Sequence, residues 1–189
     1  MSKKEVKNTL ISVQKRHRRL FELAVFPMLA VIMFCSKLLM EALPNIHLVG
    51  VLTIVYTVVY RYKALIPIYI YVLLNGVIAG FNLWWIPYLY IWALLWGAAM
   101  LIPRNTPKAV RVVLYPLLCA GHGILFGTLY APAHAIMYGL DFQKMVSWIV
   151  AGLGFDVMHA IGNFALGLLI FPLSELLFRL SGKYYKLKG

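Results

Sequence analysis

Six long apolar runs follow one another along this chain, and they constrain its fold more than any other feature. They cover residues 21–40, 46–60, 64–80, 83–102, 109–130 and 145–180. A helix needs about 20 apolar residues to cross a bilayer, and only helices or closed barrels satisfy the backbone in lipid. Because the runs lack the alternation of membrane strands, they predict an all-α integral membrane protein with six transmembrane helices. The second run is short and expected to be shallow, whereas the last is long enough to extend beyond the bilayer.

The composition agrees with this class, since 62% of the residues are hydrophobic and only 13% are charged. Soluble domains are nearer half apolar and a quarter charged, and a chain of 189 residues allows one domain. We expect a basic cytoplasmic N-terminal arm (1–19), a single six-helix membrane domain (20–180) and a basic cytoplasmic tail (181–189). The arm has no small-residue cleavage site after a short apolar core, so the first run is expected to be retained as a span.

The basic residues predict the orientation. All of the 18 lysines and arginines except Lys37 and Lys144 fall at the two termini or in the segments after the second and fourth runs. The positive-inside rule therefore places both termini in the cytoplasm. The net charge of +12 then consists of topology signals and anionic-lipid contacts. No basic patch interleaved with aromatic residues is present, so nucleic acid is not an expected partner.

Polar and aromatic side chains concentrate in the three segments expected to face outward, 41–48, 80–87 and 130–145. The candidates for ligand binding there are Glu41, Asn45, His47, Asn82, Trp84, Trp85, Tyr88 and His134. The tryptophans fit either an interfacial aromatic belt or a stacking platform for a flat ring. Adjacent tryptophans point in different directions, so at most one is expected to face a pocket. Pro132 predicts that the fifth helix ends there and that a capping segment or a simple connection follows.

The stretch "FDVMHAIGNF" places three polar residues inside the last apolar run. Asp156, His159 and Asn163 are spaced i, i+3 and i+7, so they share one helical face with Gly152. In the fifth run, His122 lies between two glycines. Ionisable residues within a span are costly and usually mark a site or a pathway. They could contact a ligand, or they could form interhelical hydrogen bonds, with the Asp156 carboxyl group paired to one of the histidines.

Catalytic and metal chemistry lack the residues that they require. Part of this stretch resembles CPBP-type intramembrane proteases, but the EExxxR segment of that family and the GxSG nucleophile of rhomboid proteases are both absent. No catalytic residue is therefore expected. The three histidines His122, His134 and His159 lack paired spacing, so no metal site is expected. No GxxxxGK[ST] loop is present, so this chain is expected to hold no cofactor, and any ATP must be used by partner subunits.

Three stretches of the chain resemble a known family. They are "EALPNIHLVGVLTIVYTVVYRYKALIPIYIYVLLNG", "FNLWWIPYLYIWALLWG" and "FDVMHAIGNF". With the six expected helices, they resemble the S components of energy-coupling factor (ECF) transporters, and in particular a clostridial-type family of unassigned substrate. The resemblance covers about residues 20–175. It implies a multi-pass protein of the bacterial cell membrane that binds a vitamin or related micronutrient with high affinity at its outer face. It also implies an ECF transmembrane coupling subunit and two ATPase subunits as partners, and inward release of the ligand by toppling within the bilayer.

The resemblance also bears on the ligand and on docking. The polar and aromatic candidates given above would contact the ligand, and a planar heterocycle with several hydrogen-bonding groups fits them. Lys37 and Lys144 balance two acidic residues on the outer rim, which favours neither an anion nor a cation. Many S components dock through an AxxxA pattern on helix one; here the small residues are Ala24, Pro27 and Ala30. The alternatives are a stand-alone small-molecule carrier and, less favoured, a CPBP-like intramembrane protease.

Overall fold

The computed structural model describes residues 2–43 and 46–182, and this part of the chain contains eight α-helices and no β-strand. They are α1 (Lys3–Leu39), α2 (Val49–Tyr60), α3 (Leu65–Ala79), α4 (Tyr88–Met100), α5 (Lys108–Ile124), α6 (Phe126–Tyr138), α7 (Phe142–Gly167) and α8 (Ile170–Ser181). Short 3-10 turns precede α3 and α4, at Arg61–Ala64 and Leu83–Trp85.

Five helical stretches are long and apolar enough to cross a membrane: Ile11–Leu39, Val49–Ala79, Leu83–Met100, Lys108–Tyr138 and Phe142–Gly167. The predicted all-helical, multi-pass class is confirmed at this level. The count of six crossings and the cytoplasmic position of the termini stay predictions. The predicted cytoplasmic tail falls mostly on residues 183–189, which lie outside the described residues.

Helix α1 is much longer than the first apolar run, because it includes most of the predicted N-terminal arm. It begins with a capping box, in which the Ser2 hydroxyl accepts a hydrogen bond from the Glu5 N–H and the Glu5 carboxylate accepts one from the Ser2 N–H. Such a box satisfies two backbone donors that a helix start leaves unpaired. Its 37 residues correspond to a length of about 56 Å at 1.5 Å per residue, which exceeds the thickness of a bilayer core.

Helix α2 lies at the centre of the bundle, and all of its 12 residues are buried. A helix that is apolar on every side belongs in a core, and this one contacts α1, α4, α5, α7 and α8. Its two threonines add no unpaired group, because the Thr53 hydroxyl donates to the Val49 carbonyl and the Thr57 hydroxyl to the Thr53 carbonyl. Such bonding back to the previous turn is how hydroxyls are accommodated inside apolar helices. The second run therefore forms the buried central helix of the bundle.

Basic residues gather at one end of the bundle, which we call the basic end. There the Lys63 ammonium lies 2.6 Å from a carboxylate oxygen of Glu22 on α1. Arg61 follows α2 with φ of 56°, and its guanidinium donates to the Met100 and Ile102 carbonyls at the end of α4. These bonds satisfy carbonyls that a helix C-terminus leaves free. The basic end thus ties α1, α2 and α4 together.

The last two apolar runs contain helix breaks at positions that the sequence analysis did not predict. Pro132 lies inside α6, so the helix does not end there; the break falls at Leu125, and the capping segment expected from 130 onward is mostly helical. The last run separates into α7 and α8 at Leu168 and Leu169. Pro172 in the first turn of α8 accounts for this break, because proline cannot donate to the preceding turn and clashes with its carbonyl.

Helices α5 and α7 form the closest helix pair, and two glycines permit it. A Cβ atom on Gly123 would lie 2.9 Å from the Cα atom of Ala160, and one on Gly167 would lie 2.9 Å from the Cα atom of Pro116. Both distances are shorter than a carbon–carbon contact of about 3.5–4.0 Å. Small residues allow such backbone approach between membrane helices, and this approach fixes the α7 face that carries the predicted site residues.

Candidate functional site

A cavity of about 370 Å³ opens between α6, α7 and the segment before α4. Its walls are mostly aromatic and it is lined by Trp84, Phe126, Gly127, Tyr130, His134, Met137, Tyr138, Trp148, Gly152, Phe155 and Asp156. The cavity lies at the end of α4 opposite to the basic end, because Trp84 precedes this helix and the Arg61 contacts are at its far end. Its volume falls within the usual range of small-molecule sites, roughly 300–1,000 Å³.

Two rows of residues, each with a spacing of four residues, form the cavity walls. On α6 the rings of Phe126, Tyr130, His134 and Tyr138 follow one another, with neighbouring ring centroids 6.3, 6.2 and 4.5 Å apart. On α7, Trp148, Gly152 and Asp156 share the facing side. Since residues four apart lie on the same helical face, both rows face the space between α6 and α7.

Stacking and one hydrogen bond hold the aromatic walls in place. The Trp148 ring stacks on Tyr130 at 6.0 Å between ring centroids and on His134 at 4.7 Å. The Tyr130 hydroxyl donates to the Trp84 carbonyl over 3.1 Å, which connects α6 to the segment before α4. Offset stacking of this kind restricts ring orientation, so the cavity presents fixed aromatic surfaces.

The acidic group of the cavity is Asp156, which is only 5% exposed. One of its oxygens accepts a hydrogen bond of 3.0 Å from the Gly127 N–H, and the other, Oδ2, has no hydrogen-bond partner among the described residues. A side chain on Gly127 would collide with this carboxylate, so glycine is required for the approach. The alternative in which Asp156 pairs with His122 or His159 is wrong, because its hydrogen bond goes to the α6 backbone.

A second group of buried polar side chains lies directly behind the cavity, on the other side of Phe126. The Phe126 ring contacts the rings of Trp92, His122 and His159 at centroid distances of 5.9, 5.9 and 5.0 Å, and His47 lies 5.0 Å from His159. In the described part of the chain, each of these four polar rings keeps a buried nitrogen without a hydrogen-bond partner. Native proteins rarely leave buried polar atoms unpaired. We call this group, made of His47, Trp92, His122 and His159, the histidine cluster.

The predicted face of α7 is buried as a unit, but its three residues have different contacts. Asp156 lines the cavity, whereas His159 belongs to the histidine cluster. Asn163 donates from its amide to the Cys119 carbonyl on α5 over 3.1 Å, which is an interhelical contact away from the cavity. Of the two roles left open by the sequence, interhelical hydrogen bonding is therefore present at Asp156 and Asn163, and contact with a ligand stays a prediction.

The candidates in the segments expected to face outward also differ in whether they line the cavity. Trp84 and His134 line the cavity, while Trp85 donates from its indole to the Val72 carbonyl, so one member of the tryptophan pair faces the cavity, as expected. The Tyr88 ring lies between those of Trp84 and Trp92. Outside the cavity lining, His122 and His47 lie in the histidine cluster, and Asn82 caps the turn before α4. Glu41 is exposed in the turn after α1, and Asn45 lies outside the described residues.

The three small residues expected to take part in docking differ in exposure. Ala24 and Pro27 are exposed on α1, whereas Ala30 has no exposed surface at all. Ala30 therefore packs in the core and does not share an exposed face with the other two. Only the first two remain available to a neighbouring subunit.

Lys37, one of the two basic residues expected on the outer rim, also contacts α3. Its ammonium donates to the Asn75 side-chain oxygen on α3 over 2.7 Å and lies 5.9 Å from the Trp84 ring centroid and 6.0 Å from that of Tyr88. The other basic residue of this side, Lys144, pairs with Asp141 at 3.1 Å. Both lysines expected on the rim therefore have a local partner.

The sequence analysis missed Phe126, Tyr130, Trp148 and Trp92. A signal for three of them was present: Trp148 continues the four-residue spacing of Gly152 and Asp156, and Phe126 and Tyr130 do the same for His134. Trp92 lies four residues after Tyr88. None of the described residues forms a group of three histidine, cysteine or acidic side chains that could hold a metal ion.

The chain matches none of the protein-family models, curated proteins or solved structures with which it was compared. The argument for function therefore depends on the cavity, the histidine cluster and the sequence pattern.

Proposed function

We propose that this protein is the substrate-binding subunit, or S component, of an ECF-type ABC transporter in the bacterial cell membrane. It captures a vitamin or related micronutrient, a planar heterocycle, from outside the cell. It then docks to an ATP-driven module, made of a transmembrane coupling subunit and two ATPase subunits, and topples to release the ligand inside. The chain itself performs no reaction in this account.

The observation that carries the proposal is the concentration of unpartnered buried polar atoms beside an aromatic cavity. Eight such side-chain atoms occur among the described residues, and five of them belong to Asp156 and the histidine cluster. Each unpaired buried polar atom costs about 1–3 kcal/mol. Of these five residues only Asp156 lines the cavity, so a heterocycle bound there would offset the cost at Asp156, and the flat aromatic walls would stack on its ring.

The position of the cavity supports the direction of capture. The cavity opens at the end of α4 that is remote from Arg61 and Lys63. By the positive-inside rule the basic end faces the cytoplasm, so the cavity faces outward. No ATP-binding loop occurs in the sequence, and release therefore depends on energy supplied by partner subunits.

Docking would use a lipid-facing surface with small side chains. Ala24 and Pro27 give α1 such a surface, and small residues let a second helix approach closely. A stand-alone carrier would bind a ligand in the same cavity but would need no such partner, so docking discriminates between the two functions.

The test is affinity purification of the tagged chain from the membranes of its own host, with quantification of co-purifying proteins. The account predicts one coupling subunit and two ATPase subunits, and a loss of most of this recovery in Ala24→Trp. The matched control is Val113→Trp, which places the same ring at an exposed position of α5 and should leave recovery unchanged. Recovery of the chain without ATPase subunits would contradict the proposal and favour the stand-alone carrier.

A further inference from the structure

We propose that the cavity recognises an organic cation, with the Asp156 carboxylate as its counter-ion and the surrounding aromatic rings as its walls. This inference rests on the proposed function and adds the charge of the substrate. The chemical class is a flat heteroaromatic ring that carries a fixed or protonated cationic nitrogen.

The first observation is that Asp156 is a buried carboxyl group without an ion-pair partner among the described residues. Asp156 is nearly fully buried, its Oδ2 atom has no hydrogen-bond partner, and no lysine, arginine or histidine within residues 2–43 and 46–182 forms an ion pair with it. Removing a charge from water without a partner is expensive. A ligand cation in the cavity would supply the missing opposite charge beside this carboxyl group.

The two lysines expected on the same side of the bundle are already engaged. The Lys144 ammonium pairs with Asp141, and the Lys37 ammonium donates to the Asn75 side-chain oxygen. Neither lysine lines the cavity, and no arginine does. An anionic ligand would meet the Asp156 carboxyl group with no lysine or arginine in the lining, where His134 is the one basic side chain, and this disfavours an anion.

The second argument is the aromatic wall. Trp84, Phe126, Tyr130 and Trp148 line the cavity around the carboxylate, and the negative face of an aromatic ring attracts a cation within about 6 Å of the ring centroid. Stacking between Tyr130 and Trp148, and the bond from the Tyr130 hydroxyl to the Trp84 carbonyl, fix these faces before a ligand arrives. Fixed walls reduce the ordering cost of binding.

The cation is organic and not a metal ion. Oxygen-binding cations such as Ca²⁺ and Mg²⁺ take six or more oxygen ligands, and the lining offers one carboxylate. The described residues contain no group of three metal-binding side chains. The cavity volume of about 370 Å³ instead suits a molecule of several fused or substituted ring atoms.

The test compares three flat probes of nearly the same shape and different charge: the N-methylnicotinamide cation, its uncharged isostere m-toluamide, and the anion m-toluate. Isothermal titration calorimetry of the protein in lipid nanodiscs gives each dissociation constant. The expected result is binding of the cation at least tenfold tighter than binding of m-toluamide, with m-toluate the weakest. Equal binding of cation and isostere, preference for the neutral or anionic probe, or binding of none of the three would overturn the proposal.

Variants then assign the preference to one carboxylate. Asp156→Asn keeps the shape and an oxygen that can accept from the Gly127 N–H, and it should remove the tenfold preference for the cation. Asp141→Asn removes a negative charge on the same side of the bundle, outside the cavity lining, and should preserve the preference. Unchanged preference in Asp156→Asn would contradict the assignment. Because the comparison of probes uses the unaltered protein, a folding defect in the variant does not decide the outcome.

The two proposals fail separately. If the host membranes yield the complete ATP-driven complex but the unaltered protein prefers the neutral probe, the organic cation is wrong and the S-component function stands. If the cation is preferred but no ATPase subunits co-purify, the site stands and the transporter assignment fails.

Discussion

The close approach of α5 and α7 gives a prediction with an internal control, because α5 carries two glycines in different surroundings. A Cβ atom on Gly123 would lie 2.9 Å from both the Cα and the backbone nitrogen of Ala160, and 3.0 Å from the Asn163 side-chain amide. A Cβ atom on Gly121 would meet nothing within 4 Å. Alanine at either position gains helix propensity of about 0.8–1.0 kcal/mol, but only at Gly123 must two backbones move apart.

The separation required at Gly123 is about 0.5–1 Å, given a normal carbon contact of about 3.5–4.0 Å. Overpacking of this size costs about 1–3 kcal/mol in cores. The free energy of unfolding of Gly123→Ala should therefore be about 1–3 kcal/mol lower than that of Gly121→Ala, which should be as stable as the parent protein or slightly more stable. Equilibrium unfolding in mixed micelles, followed by circular dichroism, measures the difference. Equal stability of the two variants would refute the close-packing argument.

Two further predictions concern the ends of helices. Arg61→Ala should lower the free energy of unfolding by about 1–2 kcal/mol, because it loses the bonds to the Met100 and Ile102 carbonyls. Arg61→Gly should recover about 1 kcal/mol of that loss, because glycine tolerates φ of 56°. Thermal unfolding of both variants measures the two effects. The pKa of the Asp141 carboxyl lies below its usual value because the Lys144 N–H and ammonium bond to it, so its stabilising contribution is present above the usual pKa and is lost as the pH falls through the lowered pKa. Asp141→Asn, which still caps α7, should lack that acid-dependent loss, as melting temperatures between pH 2 and 6 would show.

The all-helical, multi-pass class could be predicted because long apolar runs in the sequence are themselves the signal for membrane helices. Runs that are apolar on all sides predict helices in lipid or in a core, and α2 illustrates both the success and its limit. The sequence predicted that this helix is short. Its central position could not be predicted, because the sequence of one run does not show which helices pack against it. The break at Leu125 lies within apolar sequence where hydropathy does not change, whereas the break at Leu168 has a signal in Pro172 that hydropathy alone does not register.

The candidate site could be predicted in part. The spacing of Asp156, His159 and Asn163 correctly indicated one buried face. Their separate contacts were not predictable, because they depend on what the facing helix offers at each turn: the Gly127 N–H, the histidine cluster or the Cys119 carbonyl. Ala30 shows the same limit, since spacing on one helix does not tell which side the rest of the bundle covers.

The most direct test of the central claim is native mass spectrometry of the chain purified in mild detergent from cells grown in rich medium, followed by identification of any small molecule released on denaturation. The account predicts one bound small molecule per chain, a planar heterocycle, that is retained in Asp141→Asn and lost or depleted in Asp156→Asn. A chain that carries no small molecule in repeated preparations, while it remains folded, would contradict its assignment as a high-affinity substrate-binding subunit.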